Sequence, residues 1–205
     1  MGLMLNSFIK TATSHDTNVS GRFKSKTIKP TWGNVALGTG DKRHCVFCSI
    51  IEGRLPTAEV YQDDNFLVLM DKYPINIGHT LVIPKVHYDN LLSMPPAEVG
   101  RLYSLVTMIS EPVVASVNAD GFNVGQNNGI AANQIVPHVH VHIIPRFKPD
   151  SPDGKWPKRR VASYEELLET AKKIRSLINA ARIQHTMSQL APMRQTHQEV
   201  LDHAD

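Results

Sequence analysis

Residues 138–144 constrain this sequence most, because they alternate histidine with branched apolar residues in the order His-Val-His-Val-His-Ile-Ile. A β-strand sends successive side chains to opposite faces. We therefore predict a strand over 138–144 whose valines and first isoleucine face a core. The opposite face then carries three histidines: His138, His140 and His142.

Three imidazoles on one strand face favour one of two kinds of chemistry. As metal ligands, they need a carboxylate or a further histidine from a nearby element. As catalytic groups, one imidazole attacks phosphorus while its neighbours stabilise the phosphoryl oxygens. A merely solvent-exposed strand face is the third interpretation, but Thr or Lys would serve it equally well. His140 alone has a histidine on each side, which suits a nucleophile.

The other apolar patterns indicate an α+β fold, an antiparallel five-stranded sheet with a long helix packed on it. The four further predicted strands are Ala58–Gln62, Phe66–Met70, His79–Ile83 and Phe122–Gln126. The predicted helices are Cys45–Glu52, Pro96–Asn118 and one from Ser163 to about Arg182. The apolar stripe expected on the last helix consists of Tyr164, Leu168, Ala171, Ile174 and Ile178.

Three zones divide the chain. Residues 1–43 form a polar extension, residues 44–147 the domain, and residues 148–205 a connector, a helix and a polar tail. A net charge of +3 gives no electrostatic case for a nucleic-acid or membrane partner. Two cysteines do not make a secreted disulfide framework, so we expect a reducing, cytoplasmic setting. A mitochondrial leader within residues 1–43 is the alternative; the extension lacks an arginine-rich amphipathic pattern.

Three blocks of sequence resemble the signature of the histidine-triad (HIT) family. They are Asn127–Arg146, which contains the histidine row, Cys45–Gly53 and Gly78–His87. The resemblance covers residues 44–147, in the order and spacing of the family. It implies a HIT-like fold, a purine nucleotide substrate and a homodimer in which the long helix and a strand meet across a two-fold axis.

The resemblance assigns a role to each histidine of the row. His140 matches the nucleophile, which forms a nucleotidyl-histidine intermediate that water then cleaves. His142 matches the position that contacts the phosphate and helps to protonate the leaving group. His138 matches the first histidine, whose role differs between branches. The turn Asn133-Gln134-Ile135 matches a loop whose backbone N–H groups hold phosphate oxygens.

The same resemblance outlines a nucleotide pocket. Asp71, at the end of a strand, matches the carboxylate that accepts the ribose hydroxyls; by sequence alone it is equally a turn aspartate. Asn127 matches a polar position near the phosphates, or is a plain loop residue. The residues that match the base pocket, and that read equally well as ordinary core, are Val46, Phe47, Ile50 and Leu69.

Two residues of the loop depart from the family pattern. Asn133 stands where glycine is usual, but asparagine tolerates positive φ better than most residues. Ile135 stands where many members carry Ser or Thr on the leaving-group side. The missing hydroxyl weakens the case for a phosphoramidate substrate.

Cys45 and Cys48 form a C-x-x-C pair, which suits zinc, a redox couple or two buried thiols. Structural zinc needs four ligands, and the resemblance implies that His87 and His138 complete the set. His44, beside the cysteines, is an alternative ligand. We expect His79 to be structural, because it stands at a strand entrance.

These features favour an enzyme that cleaves a nucleoside monophosphate from a dinucleoside polyphosphate or a nucleoside phosphoramidate. The alternative is a nucleotide-binding adaptor with incidental hydrolysis, but the intact histidine row favours the enzyme. Processing of nucleic-acid ends would predict an added basic or zinc-finger module. The basic residues between Lys155 and Arg160 are too few for one, and we interpret them as a solvated loop.

Overall fold

The computed structural model of the protein describes residues 42–150 and 156–202, without the side chains of Arg43 and residues 185–202. The predicted N-terminal extension therefore lies almost wholly outside the described residues. Across the described ranges, no helix combines the length and apolarity needed to cross a membrane.

Five strands lie in the middle of the chain. In chain order they are β1 (Glu59–Gln62), β2 (Phe66–Met70), β3 (Thr80–Pro84), β4 (Gly121–Gly125) and β5 (Val141–Arg146). They form one sheet with the spatial order β1-β2-β3-β5-β4, in which every neighbouring pair is antiparallel. This confirms the predicted α+β fold with its five-stranded sheet.

Helices cover both faces of this sheet. They are α1 (Val46–Ile51), α2 (Pro96–Ser116) and α3 (Tyr164–Asp202). Residues of α2 and α3 share one apolar core with Val139, Val141 and Ile143. Residues of α1 share a second, smaller core with alternate residues of β2 and β3. Both strands are buried along their whole length, because their continuous apolar runs are covered on two sides.

The histidine row begins before β5, so only part of it lies in the strand. The predicted strand 138–144 is wrong in its bounds, because β5 begins at Val141, where pairing with Val82 of β3 begins. Before that point Val139 donates its N–H to the carbonyl oxygen of Tyr88 (2.7 Å), outside the sheet. The predicted alternation persists nonetheless, since the valines reach the larger core and the histidines the opposite side.

The C-terminal helix is longer than predicted, and part of its buried face differs from the predicted one. It continues to Asp202 instead of ending near Arg182. The predicted stripe is wrong at two positions, because Tyr164 and Leu168 are exposed and Leu167 is buried in their place. The connector supplies Ala162 to the same core, so this part of the C-terminal segment is integral to the sheet's packing.

Candidate active site

His140 lies buried beside a cavity of about 770 Å3. Its Nδ1 is 2.6 Å from the carbonyl oxygen of His138, so Nδ1 carries the proton and donates it to that oxygen. The lone pair of the neutral ring then lies on Nε2. Burial lowers the pKa of His140, which keeps the ring neutral near pH 7. Neutral imidazole with an available nitrogen is the form that attacks phosphorus.

His142 belongs to a second pair of rings with a defined tautomer. The backbone N–H of Ile75 donates to Nδ1 of His79 (3.1 Å), so the neutral His79 ring carries its proton on Nε2. That Nε2 lies 2.9 Å from Nδ1 of His142 and donates to it. The proton of His142 is consequently on Nε2. Burial lowers the pKa of His142 to about 3 and that of His79 to about 4, so both rings are neutral at pH 7.

The predicted base-pocket residues and Asp71 meet around the same cavity. Its apolar wall includes the four positions that resemble the base pocket, namely Val46, Phe47, Ile50 and Leu69. The ring of Phe47 also contacts His140, with centroids 5.2 Å apart. Asp71 and His142 line the same cavity. A purine-sized ligand has here an apolar surface for its base and a carboxylate within the same space.

The loop between β4 and β5 brings three of the four predicted residues to the cavity, namely Asn127, Asn133 and Ile135. Asn133 adopts the left-handed conformation (φ 63°) that the family's glycine would otherwise supply. Gln134 does not line the cavity. Its side chain is buried, accepts a hydrogen bond from the N–H of Gly129 (2.6 Å) and donates one to the carbonyl oxygen of Asp89 (2.5 Å).

The loop also uses some of the N–H groups that we expect to hold phosphate. Asn133 donates to the carbonyl oxygen of Ile130 (2.9 Å), and Gln134 donates to that of Gly129 (3.1 Å). Two of the three backbone N–H groups of this turn are therefore engaged within the loop itself. The Gln134 side chain instead links the loop to the segment after β3, through its hydrogen bonds to Gly129 and Asp89.

The Asp71 carboxylate is nearly fully buried and is surrounded by donors. Its Oδ1 accepts the backbone N–H of Tyr73 (2.8 Å), and its Oδ2 lies 2.9 Å from Nη1 of Arg159 and 3.4 Å from Nε2 of His79. Burial raises the pKa of Asp71, but the interactions with His79, the Tyr73 amide and Arg159 outweigh it and hold the pKa below its ordinary value. The carboxylate is therefore ionised at neutral pH.

Beside the cavity, four predicted metal ligands converge: Cys45, Cys48, His87 and His138. Nδ1 of His138 is 3.4 Å from Sγ of Cys45 and 3.7 Å from Sγ of Cys48, and Nδ1 of His87 is 3.2 Å from Sγ of Cys48. Sulfur and nitrogen ligands of a tetrahedral zinc ion lie about 3.5 Å apart. The spacing thus fits such an ion. His44 is exposed and lies outside this group.

Hydrogen bonds on the far side of both rings orient this cluster for a metal. Nε2 of His138 donates to the carbonyl oxygen of Pro84 (2.8 Å), and Nε2 of His87 donates to Oδ1 of Asp89 (2.8 Å). Each ring thus keeps the lone pair of Nδ1 for an ion, which is the usual arrangement of metal-binding histidines. Burial raises the pKa of Cys48 to about 11, which disfavours the alternative of a reactive redox thiol.

His79 and Arg159 contact the site without a sequence pattern that indicates it. His79, which we expect to be structural, donates from Nε2 to Nδ1 of His142 and so sets the tautomer of that ring. Within the 155–160 region, which we interpret as a solvated loop, Arg159 is 44% exposed, but its guanidinium also reaches Asp71 and lines the cavity. Both contacts depend on long-range packing, since Arg159 and Asp71 are 88 residues apart.

Comparison with known proteins places this site in a family. A family model described as HIT domain matches residues 52–149. Adenylylsulfatase HINT3 of Arabidopsis thaliana is 45% identical over 106 residues, which are 52% of this chain and 54% of that protein. The chain thus spans about half the length of this relative.

Two further matches extend over nearly the whole of the related chain. An uncharacterized HIT-like protein of Methanocaldococcus jannaschii is 40% identical over 128 residues, 62% of this chain and 98% of the archaeal protein. The crystal structure of a Zn-bound histidine triad family protein from Mycobacterium smegmatis superposes with a TM-score of 0.61 at 34% identity, covering 69% of this chain and 98% of that one.

Proposed function

Because the chain belongs to the histidine triad (HIT) family, we propose that it cleaves a nucleoside monophosphate from a larger nucleotide through an intermediate on His140. The observation that carries this proposal is the hydrogen bond from Nδ1 of His140 to the carbonyl oxygen of His138. It directs the lone pair to Nε2, in a ring that lines a nucleotide-sized cavity. The family supports a nucleotide hydrolase or transferase in general, and we infer the particular substrate and the covalent mechanism from the site.

In the first proposed step, Nε2 of His140 attacks the α-phosphorus. A bond forms between nitrogen and phosphorus while the bond to the leaving group breaks, and the electron pair departs with that group. The positive charge on the resulting phosphoryl-imidazolium is stabilised by the carbonyl oxygen of His138, which accepts Nδ1–H. In the second step, water attacks phosphorus and the electron pair returns to Nε2. The products are the nucleoside monophosphate and one proton.

His142 enters this scheme as a hydrogen-bond donor. A neutral ring whose pKa is about 3 donates a hydrogen bond from Nε2 to a phosphoryl oxygen, but it has no proton to give away without forming an imidazolate. We therefore modify the role that the resemblance implies, which is protonation of the leaving group. An anionic leaving group needs no proton, whereas an amine does.

The neutral His142 and the apolar Ile135 together favour an anionic leaving group, so we propose an anhydride substrate over a phosphoramidate. A dinucleoside polyphosphate releases a nucleotide anion, and an adenylyl sulfate releases sulfate. The relative from Arabidopsis thaliana, named adenylylsulfatase, supports this class of leaving group. Asp71 would accept the ribose hydroxyls, and the apolar wall would contact the purine.

A substrate panel tests the proposal. The full chain is incubated with diadenosine tri- and tetraphosphate, adenosine 5′-phosphosulfate and adenosine phosphoramidate, and products are separated by chromatography. We expect AMP from at least one anhydride, at a higher kcat/KM than from the phosphoramidate. AMP from none of the four would contradict the proposed enzyme and favour the adaptor. AMP from the phosphoramidate alone would contradict only the assignment of the leaving group.

We further propose that Cys45, Cys48, His87 and His138 hold one structural zinc ion. The geometry of the four ligand atoms and the zinc-bound relative from Mycobacterium smegmatis support it. The ion would fix α1 and the segment before β5 against each other. His138 would then be a ligand and would take no part in proton transfer.

A homodimer is also part of the proposal. Within the described part of the chain, β4 pairs only with β5, so its other edge is open to a partner. Phe122 and Val124 on β4 are 47% and 42% exposed, and with Tyr103 of α2 they line a groove of about 790 Å3. A second copy that meets this groove about a two-fold axis would bury the apolar surface.

A further inference from the structure

The connector before α3 forms part of the nucleotide cavity, through Arg159. Its backbone runs along the loop after β2, where Arg160 donates its N–H to the carbonyl oxygen of Pro74 (3.1 Å) and Ala162 donates to that of Lys72 (3.4 Å). These bonds hold Arg159 beside Asp71. The Nη1 group of Arg159 then donates both to Oδ2 of Asp71 (2.9 Å) and to the carbonyl oxygen of Tyr73 (2.8 Å).

This arrangement leaves the two charged groups in different surroundings. The side chain of Asp71 is 9% exposed and that of Arg159 is 44% exposed, so the carboxylate is fixed in the wall while the guanidinium also reaches solvent. The Tyr73 amide occupies Oδ1 of Asp71 from one side, and Arg159 occupies Oδ2 from another. A carboxylate has about four acceptor positions. Nε2 of His79 is 3.4 Å from Oδ2 but directs its proton to His142, so two positions remain for ligand hydroxyls.

We propose that Arg159 is a positioning residue for the ribose end of this cavity, which holds the Asp71 carboxylate oriented to accept the hydroxyls of a ribonucleotide. The inference rests on the proposed nucleotide-binding function and deepens it, because it adds a specificity element from outside the region that the family model matches. A buried carboxylate without its guanidinium partner would rotate or take up a proton, and either change removes acceptors.

If Arg159 competed with the nucleotide for Asp71, removal of its guanidinium would change the nucleotide affinity in the opposite direction. If Arg159 merely occupied Asp71 until a nucleotide displaced it, removal of the guanidinium would free the carboxylate and tighten binding. The direction of the change in affinity therefore separates positioning from competition.

The experiment measures binding of AMP and of 2′,3′-dideoxy-AMP to the full chain by calorimetry. Arg159→Ala is expected to weaken AMP about tenfold and to leave the dideoxy analogue within about twofold, because the analogue has no hydroxyls for Asp71. Arg159→Lys should recover part of the loss, since lysine restores the charge but not the two-acceptor geometry. In an Asp71→Asn background, Arg159→Ala should have no further effect. In turnover, Arg159→Ala should raise KM with little change in kcat.

Arg160→Ala is the matched control. Its guanidinium pairs with Glu166 on the surface and does not line the cavity, so AMP affinity should stay that of the unmodified chain. Unchanged or tighter AMP binding in Arg159→Ala, or equal losses for AMP and its dideoxy analogue, would overturn the positioning role alone. Failure of the unmodified chain to bind AMP would overturn the proposed function together with it.

Discussion

The carbonyl oxygen of His138 accepts the Nδ1–H of His140 at 2.6 Å, so one histidine of the row sets the tautomer of the next. The ring of His138 faces away from that contact, toward the two cysteines. The residue that we propose as a metal ligand through its side chain can thus orient the proposed nucleophile through its backbone. The proposed structural and chemical sites are in this way adjacent but use different atoms of His138.

His140→Ala should abolish turnover and leave nucleotide binding largely intact, because the base and ribose contacts come from other residues. The loss should appear in kcat, by roughly 10⁴-fold or more, and not mainly in KM. A rapidly quenched reaction of the unmodified protein should trap an acid-labile adduct of one nucleoside monophosphate on the peptide that contains residues 138–142. Mass spectrometry checks this.

The opposing mechanism uses the three histidines as ligands of a catalytic metal. It predicts no covalent adduct, abolition of activity by chelators, and similar losses for substitution of each histidine. That pattern would overturn the nucleophilic role of His140.

Protein purified without chelator should contain about one zinc per chain by elemental analysis. Its removal should lower the free energy of unfolding by several kcal/mol, because metal binding is coupled to folding. Asp89→Asn should weaken zinc binding by about 10- to 100-fold, since Asp89 orients His87 from outside the cluster. A metal-free preparation of unchanged stability would contradict this prediction.

Local pattern was sufficient to predict most elements and the face on which the histidines lie. The continuous run Phe66–Met70 matches β2 residue for residue, because a fully buried strand needs apolar side chains on both faces. Pattern failed where tertiary contacts decide. The start of β5 is set by the pairing of Val141 with Val82. The buried stripe of α3 is set by the orientation in which the helix follows the connector and packs on the larger core.

The candidate site shows the same difference between residues that local sequence predicts and residues that tertiary contacts bring in. Positions near the histidine row in sequence, or in blocks that resemble the family, can be predicted. The structure brings all of them except Gln134 to one cavity or to the cysteine and histidine cluster. Arg159 could not be predicted, because an arginine in a basic, proline-containing connector has no periodicity or motif. Its contact with Asp71 follows from backbone pairing with the loop at Lys72 and Pro74.

Acidification should destabilise the protein through His79 and His142. Burial lowers their pKa values to about 4 and about 3, whereas both titrate near 6.5 when unfolded. The unfolded chain therefore binds more protons between these values, and the free energy of unfolding falls as the pH drops below about 6.5, by at most about 1.4 kcal/mol per pH unit for each histidine. Above pH 7 the effect is absent.

Urea denaturation at pH 7, 6 and 5 measures this slope. His142→Gln should show a shallower slope than the unmodified protein at the same zinc concentration, so that any acid-induced release of metal is common to both. Both proteins retain the other titratable or charged groups that face His79 and His142, namely Asp71, Arg159 and His140. Equal slopes would contradict the assignment.

Val124→Glu should convert a dimer into a monomer, because it places a charge on the exposed apolar face of the edge strand β4. Light scattering at micromolar concentration is the measurement, with circular dichroism to show that the fold is retained. Ile183→Glu, also an exposed apolar residue but on α3, is the control and should remain dimeric. Monomeric unmodified protein at that concentration would overturn the proposed dimer.

Ile135→Ser should shift the choice of leaving group. Ile135 lines the cavity and is 86% exposed, so the substitution costs little stability and adds a hydroxyl to the cavity in which we propose that the phosphate reacts. That hydroxyl can accept a proton from solvent while it passes its own to a leaving nitrogen, a relay that the isoleucine side chain cannot provide, whereas an anionic leaving group gains little from it. We expect kcat/KM for adenosine phosphoramidate to rise about tenfold relative to that for diadenosine tetraphosphate.

Ile130→Ser is the control, because Ile130 is 90% exposed in the same loop but does not line the cavity, and it should leave the ratio unchanged. If Ile135→Ser altered both substrates equally, the side chain at this position would not select the leaving group, and the preference for anhydrides would have to come from His142 alone.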